Sequence, residues 1–170
     1  MNKSRETVLL TGASGFIGLH CTRLLLQSGF KVRGTIRNQE KKNLVQNLMA
    51  ADDCGANNLE LTQLDLTSDV GWDAAMQGCD YVMHVASPFW IANPKNESDM
   101  LTPAVEGTLR VLRAANKAQV KRVVLTSSIV SMMSSIRRGL FTPADWTDVN
   151  YPDLSTYIKS KTLAEQAAWD

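Results

Sequence analysis

Histidine is scarce, cysteine is unpatterned and net charge is nearly absent, and each shortage removes a class of function. Two histidines, His20 and His84, stand alone in the chain, so no cluster has metal-ligand spacing and no metal is expected. Three cysteines, Cys21, Cys54 and Cys79, form no CxxC pair and leave one over in any disulfide scheme. They read as structural thiols of a reducing compartment. A net charge of +1 gives no field for nucleic acid or an anionic membrane, and neither partner is expected. The basic pairs Lys41-Lys42 and Arg137-Arg138 read as solvated surface. No apolar run approaches the ~20 residues that span a bilayer. The leading MNKSRET meets only VLL, too short for a signal-peptide core. A cytoplasmic location is the expectation.

What is there suits one domain with a substantial core: 170 residues, 44% hydrophobic and 21% charged. Apolar runs alternate with helical stretches. Thr7–Thr11 reads as a buried strand, followed by a glycine-rich turn and a helix with Ile17, Cys21, Leu24 and Leu25 at helical spacing and Gly29 past its end. Residues 31–36 form a second strand, before a polar stretch that holds Leu44, Val45 and Leu48. Residues 59–64, 80–85 and 121–126 supply three more. A long helix carrying Val105, Leu109 and Leu112 precedes the fifth strand, with Thr102-Pro103 marking its start or an early turn. A final helix begins near Ser155 and runs to Asp170 without a cap, as in a sequence that stops early. Strands separated by helices predict a Rossmann-type α/β fold, a doubly wound parallel sheet over residues 1–170.

The segment TGASGFIG sets Gly12, Gly15 and Gly18 three residues apart between first strand and first helix. One glycine permits the tight turn, another lets backbone approach a pyrophosphate, and the third allows close helix–strand packing. The helix amino terminus then offers N–H groups and partial positive charge to phosphates. A mere sharp turn is the plainer alternative. An acid at the end of the second strand would bind the ribose of NAD, but KVRGTIRN contains none. Arg37 stands there, suited to the 2′-phosphate of NADP by a forked charged contact. An ordinary surface arginine is the competing reading.

Tyr157 and Lys161, four apart on the last helix, share one face with Ala164 and Ala168. A tyrosine hydroxyl titrates near about 10, too high for acid–base work at neutral pH, and a neighbouring ammonium favours its phenolate. Ser128, ending the fifth strand in VVLTSS, is placed to bond a carbonyl oxygen as charge develops there. Ser127 competes for that role.

With LDL at Leu64–Leu66, HVASP at His84–Pro88, PAVEGT at Pro103–Thr108 and YIKSKTLAEQAAW, these motifs resemble the extended short-chain dehydrogenase/reductases. They are most similar to the dihydroflavonol 4-reductase and cinnamoyl-CoA reductase branch, whose members are about twice this length. The resemblance covers essentially the whole chain. It implies an NADPH-dependent reductase of a small-molecule carbonyl, lacking here the last sheet strands and the substrate domain. It implies that Gly12, Ser14, Gly15, Phe16, Ile17 and Gly18 line the pyrophosphate, and Arg37 and Lys42 the 2′-phosphate. Asp65 and Leu66 would meet the adenine, and Val85, Ala86, Ser87 and Thr126 the rest of the cofactor. Tyr157 would be the proton donor, Lys161 its partner on the nicotinamide ribose, and Ser128 the carbonyl-binding hydroxyl.

Two positions depart from the pattern. Ala104 replaces the asparagine many extended members carry. Met133 stands five places after the serine, where flavonoid reductases often place a polar residue; with Met132 it reads as core or pocket wall. An unspecified aldehyde or ketone is therefore expected rather than a flavonoid. Nucleotide-sugar epimerisation or dehydration is one alternative, although Ser127-Ser128 replaces the Thr-acid pair of such dehydratases. A non-catalytic NADP sensor is another, although such relatives commonly lose the tyrosine–lysine pair. The oligomeric state is open.

Overall fold

The computed structural model describes residues 6–52, 54–90, 92–133 and 139–170. The first five residues and the Arg137-Arg138 pair lie outside the described residues. The chain divides into two compact units, one taking residues up to Ala86 with Val111–Thr126, the other Ser87–Arg110 with Ser127–Asp170.

The first unit holds a parallel sheet of five strands, β1 (Thr7–Thr11), β2 (Lys31–Ile36), β3 (Leu59–Gln63), β4 (Tyr81–His84) and β5 (Arg122–Leu125). Their order is β3-β2-β1-β4-β5. The chain works outward from β1 in one direction, then crosses back to β4, the doubly wound topology expected from the alternating pattern. Consecutive side chains of β1 enter opposite cores. Leu10 packs with Val32, Ile36, Val45 and Met49, beneath α1 (Phe16–Gln27) and α2 (Lys41–Ala51). Leu9 packs with Val82, Trp72, Met76 and Val111, beneath α3 (Trp72–Met76) and the last turns of α4 (Ser98–Lys117). Each such fully buried large side chain contributes about 1.5–3 kcal/mol of transfer free energy. At the amino ends of the strands, Lys121 Nζ bonds both Glu6 Oε1 and Asp80 Oδ1 at 2.8 Å, and Asp80 Oδ2 accepts from Thr7 N.

Several sequence expectations need correction. The face α1 buries is Gly18, Thr22 and Leu26, leaving Ile17 and Leu24 exposed. The cause is Gly18: with no Cβ it lets the helix lie directly on the Gly12 carbonyl, and that approach sets the rotation of the helix. In α2 the buried pair is Val45 and Met49 rather than Leu44 and Leu48, and Met49 settles against Cys54. The last three strands are shorter than predicted, β3 by its final residue and β4 and β5 by one residue at each end, although Leu64, Asp80, Lys121 and Thr126 still donate a backbone bond to the neighbouring segment. Helix α4 begins at Ser98 and contains Pro103. The Glu97 carbonyl accepts from Met100 N and Leu101 N, so the helix nucleates a turn before the proline. Pro103, inside the helix, has no N–H to give the Asp99 carbonyl, so one intrahelical bond is missing in the second turn.

The second unit contains the first part of α4, the short α5 (Val130–Met133) and α6 (Thr156–Trp169). Thr147 ties the loop before α6 to α5, its N–H donating to Ser131 O at 2.8 Å and its hydroxyl to Val130 O at 2.6 Å. Met133 is exposed and Met132 half-buried, so neither is a core residue.

Candidate functional site

In the first unit the expected cofactor residues follow directly on the strands. Gly12 follows β1, Arg37 follows β2, Asp65 and Leu66 lie just past β3, Val85 and Ala86 follow β4, and Thr126 follows β5. They therefore share the carboxyl edge of the sheet, where ligands of such folds bind. The winding order of the parallel strands reverses between β1 and β4, and there the loops close on each other. Gly12 adopts φ +73°, and a Cβ on it would lie 3.1 Å from Ala86 Cα, so only glycine fits this approach without strain.

A buried hydroxyl fastens those two loops. Thr11 Oγ1 accepts from Val85 N at 3.0 Å and from Ala86 N at 2.9 Å. Its own proton is then left for His84 Nδ1, at 2.7 Å, which puts the imidazole's proton on Nε2. Sequence reasoning assigned neither residue a part. Their signal, a strand-end threonine and a histidine within strand β4, is too generic to read without the pairing.

In the glycine turn, Gly12 N donates to Thr35 Oγ1, Ala13 N to Thr35 O, and Gly15 N to Gly12 O. The first helical bond is Leu19 N to Gly15 O, so the amides of Phe16, Ile17 and Gly18 precede it and point out of the helix end. The Phe16 and Ile17 side chains are exposed beside them. Arg37 is exposed, and among the described residues only its backbone carbonyl is bonded, by Gln63 Nε2. Lys42 is half-buried in the first turn of α2. The Asp65 carboxylate turns back on its own loop, taking Thr67 N and Thr67 Oγ1, while Trp72 Nε1 donates to its carbonyl.

The second unit gathers Ser128, Tyr157 and Lys161, with Ser87 at its start. Ser155 caps α6, its hydroxyl accepting from Ile158 N, and Asn93 Oδ1 accepts from Thr156 N. Lys159 pairs with Glu97 at 2.8 Å, pinning the same first turn. Tyr157 and Lys161 lie on successive turns, with Lys161 Nζ 5.9 Å from the centre of the Tyr157 ring. The edge of Phe89 meets that ring at 5.3 Å. Burial pushes the Lys161 ammonium below its ordinary pKa, and among the described residues no carboxylate answers it. Ser127, just before α5, and Ser131 within it both bond Glu165 Oε2, while the Ser128 hydroxyl bonds none of the described residues. The expected stripe of Ala164 and Ala168 is half true: Ala164 is buried, but the most enclosed line of α6 runs through Thr156 and Ser160.

Among the described residues no helix is long and apolar enough to cross a membrane, and no group of three or more potential metal ligands forms. All three cysteines are free, Cys54 and Cys79 buried and Cys21 partly so.

The chain is similar to known reductases. Anthocyanidin reductase ((2S)-flavan-3-ol-forming) of Vitis vinifera is 36% identical over 174 residues, which cover 97% of this chain and 51% of the relative. Dihydroflavonol 4-reductase of Arabidopsis thaliana is also 36% identical, over 100% of this chain and 46% of its own. The structure of yeast methylglyoxal/isovaleraldehyde reductase Gre2 complexed with NADPH superposes with a TM-score of 0.83 at 29% identity, covering 96% of this chain and 52% of that one. Vestitone reductase from alfalfa (Medicago sativa L.) gives 0.80 at 29% identity, with 97% and 52% covered. The chain thus spans about half the length of the relatives it matches. The family model of the NAD dependent epimerases/dehydratases matches residues 8–170, from the first strand through the last helix, and the chain belongs to that family.

Proposed function

We propose that this chain carries the cofactor site and the acid–base residues of an NADPH-dependent reductase that converts an aldehyde or ketone to an alcohol. The observation that carries this reading is Lys161. A half-buried ammonium beside a tyrosine, answered by no described carboxylate, is costly unless something polar binds there. Ribose hydroxyls and a phenol oxygen are what it would hold.

The residues fit a dinucleotide phosphate. Backbone amides at the start of α1 are bare of helical partners, and a Cβ at Gly15 would crowd the Gly12 carbonyl at 3.3 Å. Arg37 would take the 2′-phosphate, with Lys42 nearby. NADPH, when bound, supplies the hydride. The chain's own part is to hold charge and protons. Ser128 donates a hydrogen bond to the carbonyl oxygen as negative charge gathers on it. Tyr157 gives that oxygen its proton, and Lys161 stabilises the phenolate left behind. The reductase names of the relatives and the NADPH in the Gre2 structure favour this chemistry over sugar epimerisation or sensing.

Thermal melts of the chain, alone and with each dinucleotide, test the cofactor. NADPH at a hundred times its Kd should stabilise by about 2.7 kcal/mol, while NADH at the same concentration should do far less. Arg37→Ala should erase the difference between them. Equal shifts for both, or none in a cooperative melt, would overturn the cofactor assignment. Tyr157→Phe should keep the NADPH shift and abolish turnover of an aldehyde. Undiminished turnover would remove Tyr157 from the mechanism.

A further inference from the structure

The adjacent serines Ser127 and Ser128, which precede α5, are not equivalent, and the difference originates on α6. Ser127 Oγ donates to Glu165 Oε2, and Ser131 Oγ lies 2.6 Å from the same oxygen. Ser131 Oγ also lies 2.7 Å from Ser128 O, and Ser131 N donates to that carbonyl at 3.0 Å. One carboxyl oxygen therefore gathers Ser127 and Ser131, and through Ser131 the Ser128 backbone, onto the helix that bears Tyr157 and Lys161. Glu165 is one turn beyond Lys161 and two beyond Tyr157, on the same side of α6. The only hydroxyl in this turn left without a described partner is that of Ser128.

We propose that Glu165 is a positioning residue that engages Ser127 and Ser131 and so selects Ser128 as the hydroxyl that meets the substrate's carbonyl oxygen. The proposal rests on the reductase reading for its substrate, but its geometry stands on the second unit alone. Physically, an unanchored pair of adjacent serines would compete for the oxyanion, and a turn free to shift by an ångström would misplace either one. The carboxylate accepts the Ser127 proton in a hydrogen bond and so removes the competitor, while Ser131, whose single hydroxyl proton serves either Glu165 Oε2 or Ser128 O and whose N–H holds Ser128 O, fixes the turn.

The test compares Glu165→Gln, which keeps an acceptor oxygen, with Glu165→Met, which keeps the volume and removes every acceptor. In double-mutant melts, Glu165→Met should couple to Ser127→Ala and not to Ser128→Ala. In turnover with NADPH and an aldehyde, Glu165→Met should lower kcat by on the order of tenfold to a hundredfold, with the NADPH Kd unchanged. Glu165→Gln should restore most of that loss, which a space-filling role does not predict. Equal kcat for the Gln and Met variants, or coupling to Ser128 rather than Ser127, would overturn the proposal. If the unaltered chain turns over no carbonyl, the reductase reading fails by itself, and the coupling still decides which hydroxyls Glu165 holds.

Discussion

Replacing Gly18 by alanine tests whether the close seat of α1 on the glycine turn sets the local fold. A Cβ there would fall 2.0 Å from Gly12 O, 2.8 Å from Gly12 C and 3.1 Å from Ala13 Cα. Ordinary contact begins near 3.4 Å, so turn and helix must part by 1.4 Å, the shortfall from 2.0 to 3.4 Å. The obstacle is backbone, which cannot rotate away as a side chain does. Overpacking of this kind costs about 3 kcal/mol, the upper end of the usual range. Alanine regains about 1 kcal/mol over glycine inside a helix, leaving a net loss of about 2 kcal/mol. In a chain of this size that lowers Tm by about 4–8 °C. Two other glycines serve as controls. At Gly34 the Cβ would meet Ala13 Cβ at 2.7 Å and the Leu61 side chain at 2.9 Å; Leu61 can turn aside but Ala13 Cβ is fixed to its backbone, so the loss should be about 1–3 kcal/mol. At Gly78 nothing lies within 4 Å, and φ +72° alone should account for about 1 kcal/mol. Urea and thermal denaturation of the three variants give the ordering. Gly18→Ala melting within a degree of the unaltered chain, or losing less than Gly78→Ala, would refute the close-packing argument.

Further outcomes follow from other buried groups. Thr11→Val keeps the shape but leaves Val85 N and Ala86 N without an acceptor, and should cost about 2–4 kcal/mol. Thr11→Ser should retain most of that stability and the hydrogen-exchange protection of both amides; equal losses in the two variants would deny the hydroxyl its role. Lys161→Met should abolish turnover without lowering the melting temperature at neutral pH, because the buried charge disfavours folding. The sign is set by proton uptake. With its folded pKa held below the ordinary 10.5, Lys161 binds fewer protons folded than unfolded in the interval between the two values. Its contribution to stability therefore rises with pH across that interval, and its full cost persists at lower pH. A Met variant with the same alkaline rise as the unaltered chain, in melts from pH 7 to 10.5, would assign the rise elsewhere.

The sheet and its direction were legible because short apolar segments recur between helical stretches, continuous in TVLLT and broken by Lys31 and Arg33 in KVRGTI. The glycine turn was legible because its constraint is steric and local. Helix rotation was not: in α1 the apolar count favours Ile17 and Leu24, yet contact at Gly18 overrides it, and a glycine carries no hydrophobic signal. The brief α3 escaped because its five residues are too few to display a period, although Trp72, Ala75 and Met76 are buried. Of the candidate site, the spacing of Tyr157 and Lys161 lay open in one helix. The sorting of Ser127 from Ser128 depends on Glu165, 38 residues from Ser127, and no local pattern links the two.

The position of β1 at the middle of the sheet also shapes how the chain reaches this structure. Val8 pairs with Val32, 24 residues on, and with Tyr81, 73 residues on. Closing the longer loop costs about 1 kcal/mol more in chain entropy than closing the shorter one. The β1–β2–β3 side, with α1 and α2 joining its neighbours, can therefore assemble from nearby contacts while β4 and β5 are still searching. The Thr11 bridge to His84 closes only when that distant strand arrives, so the junction between β1 and β4 forms later than the glycine turn beside it.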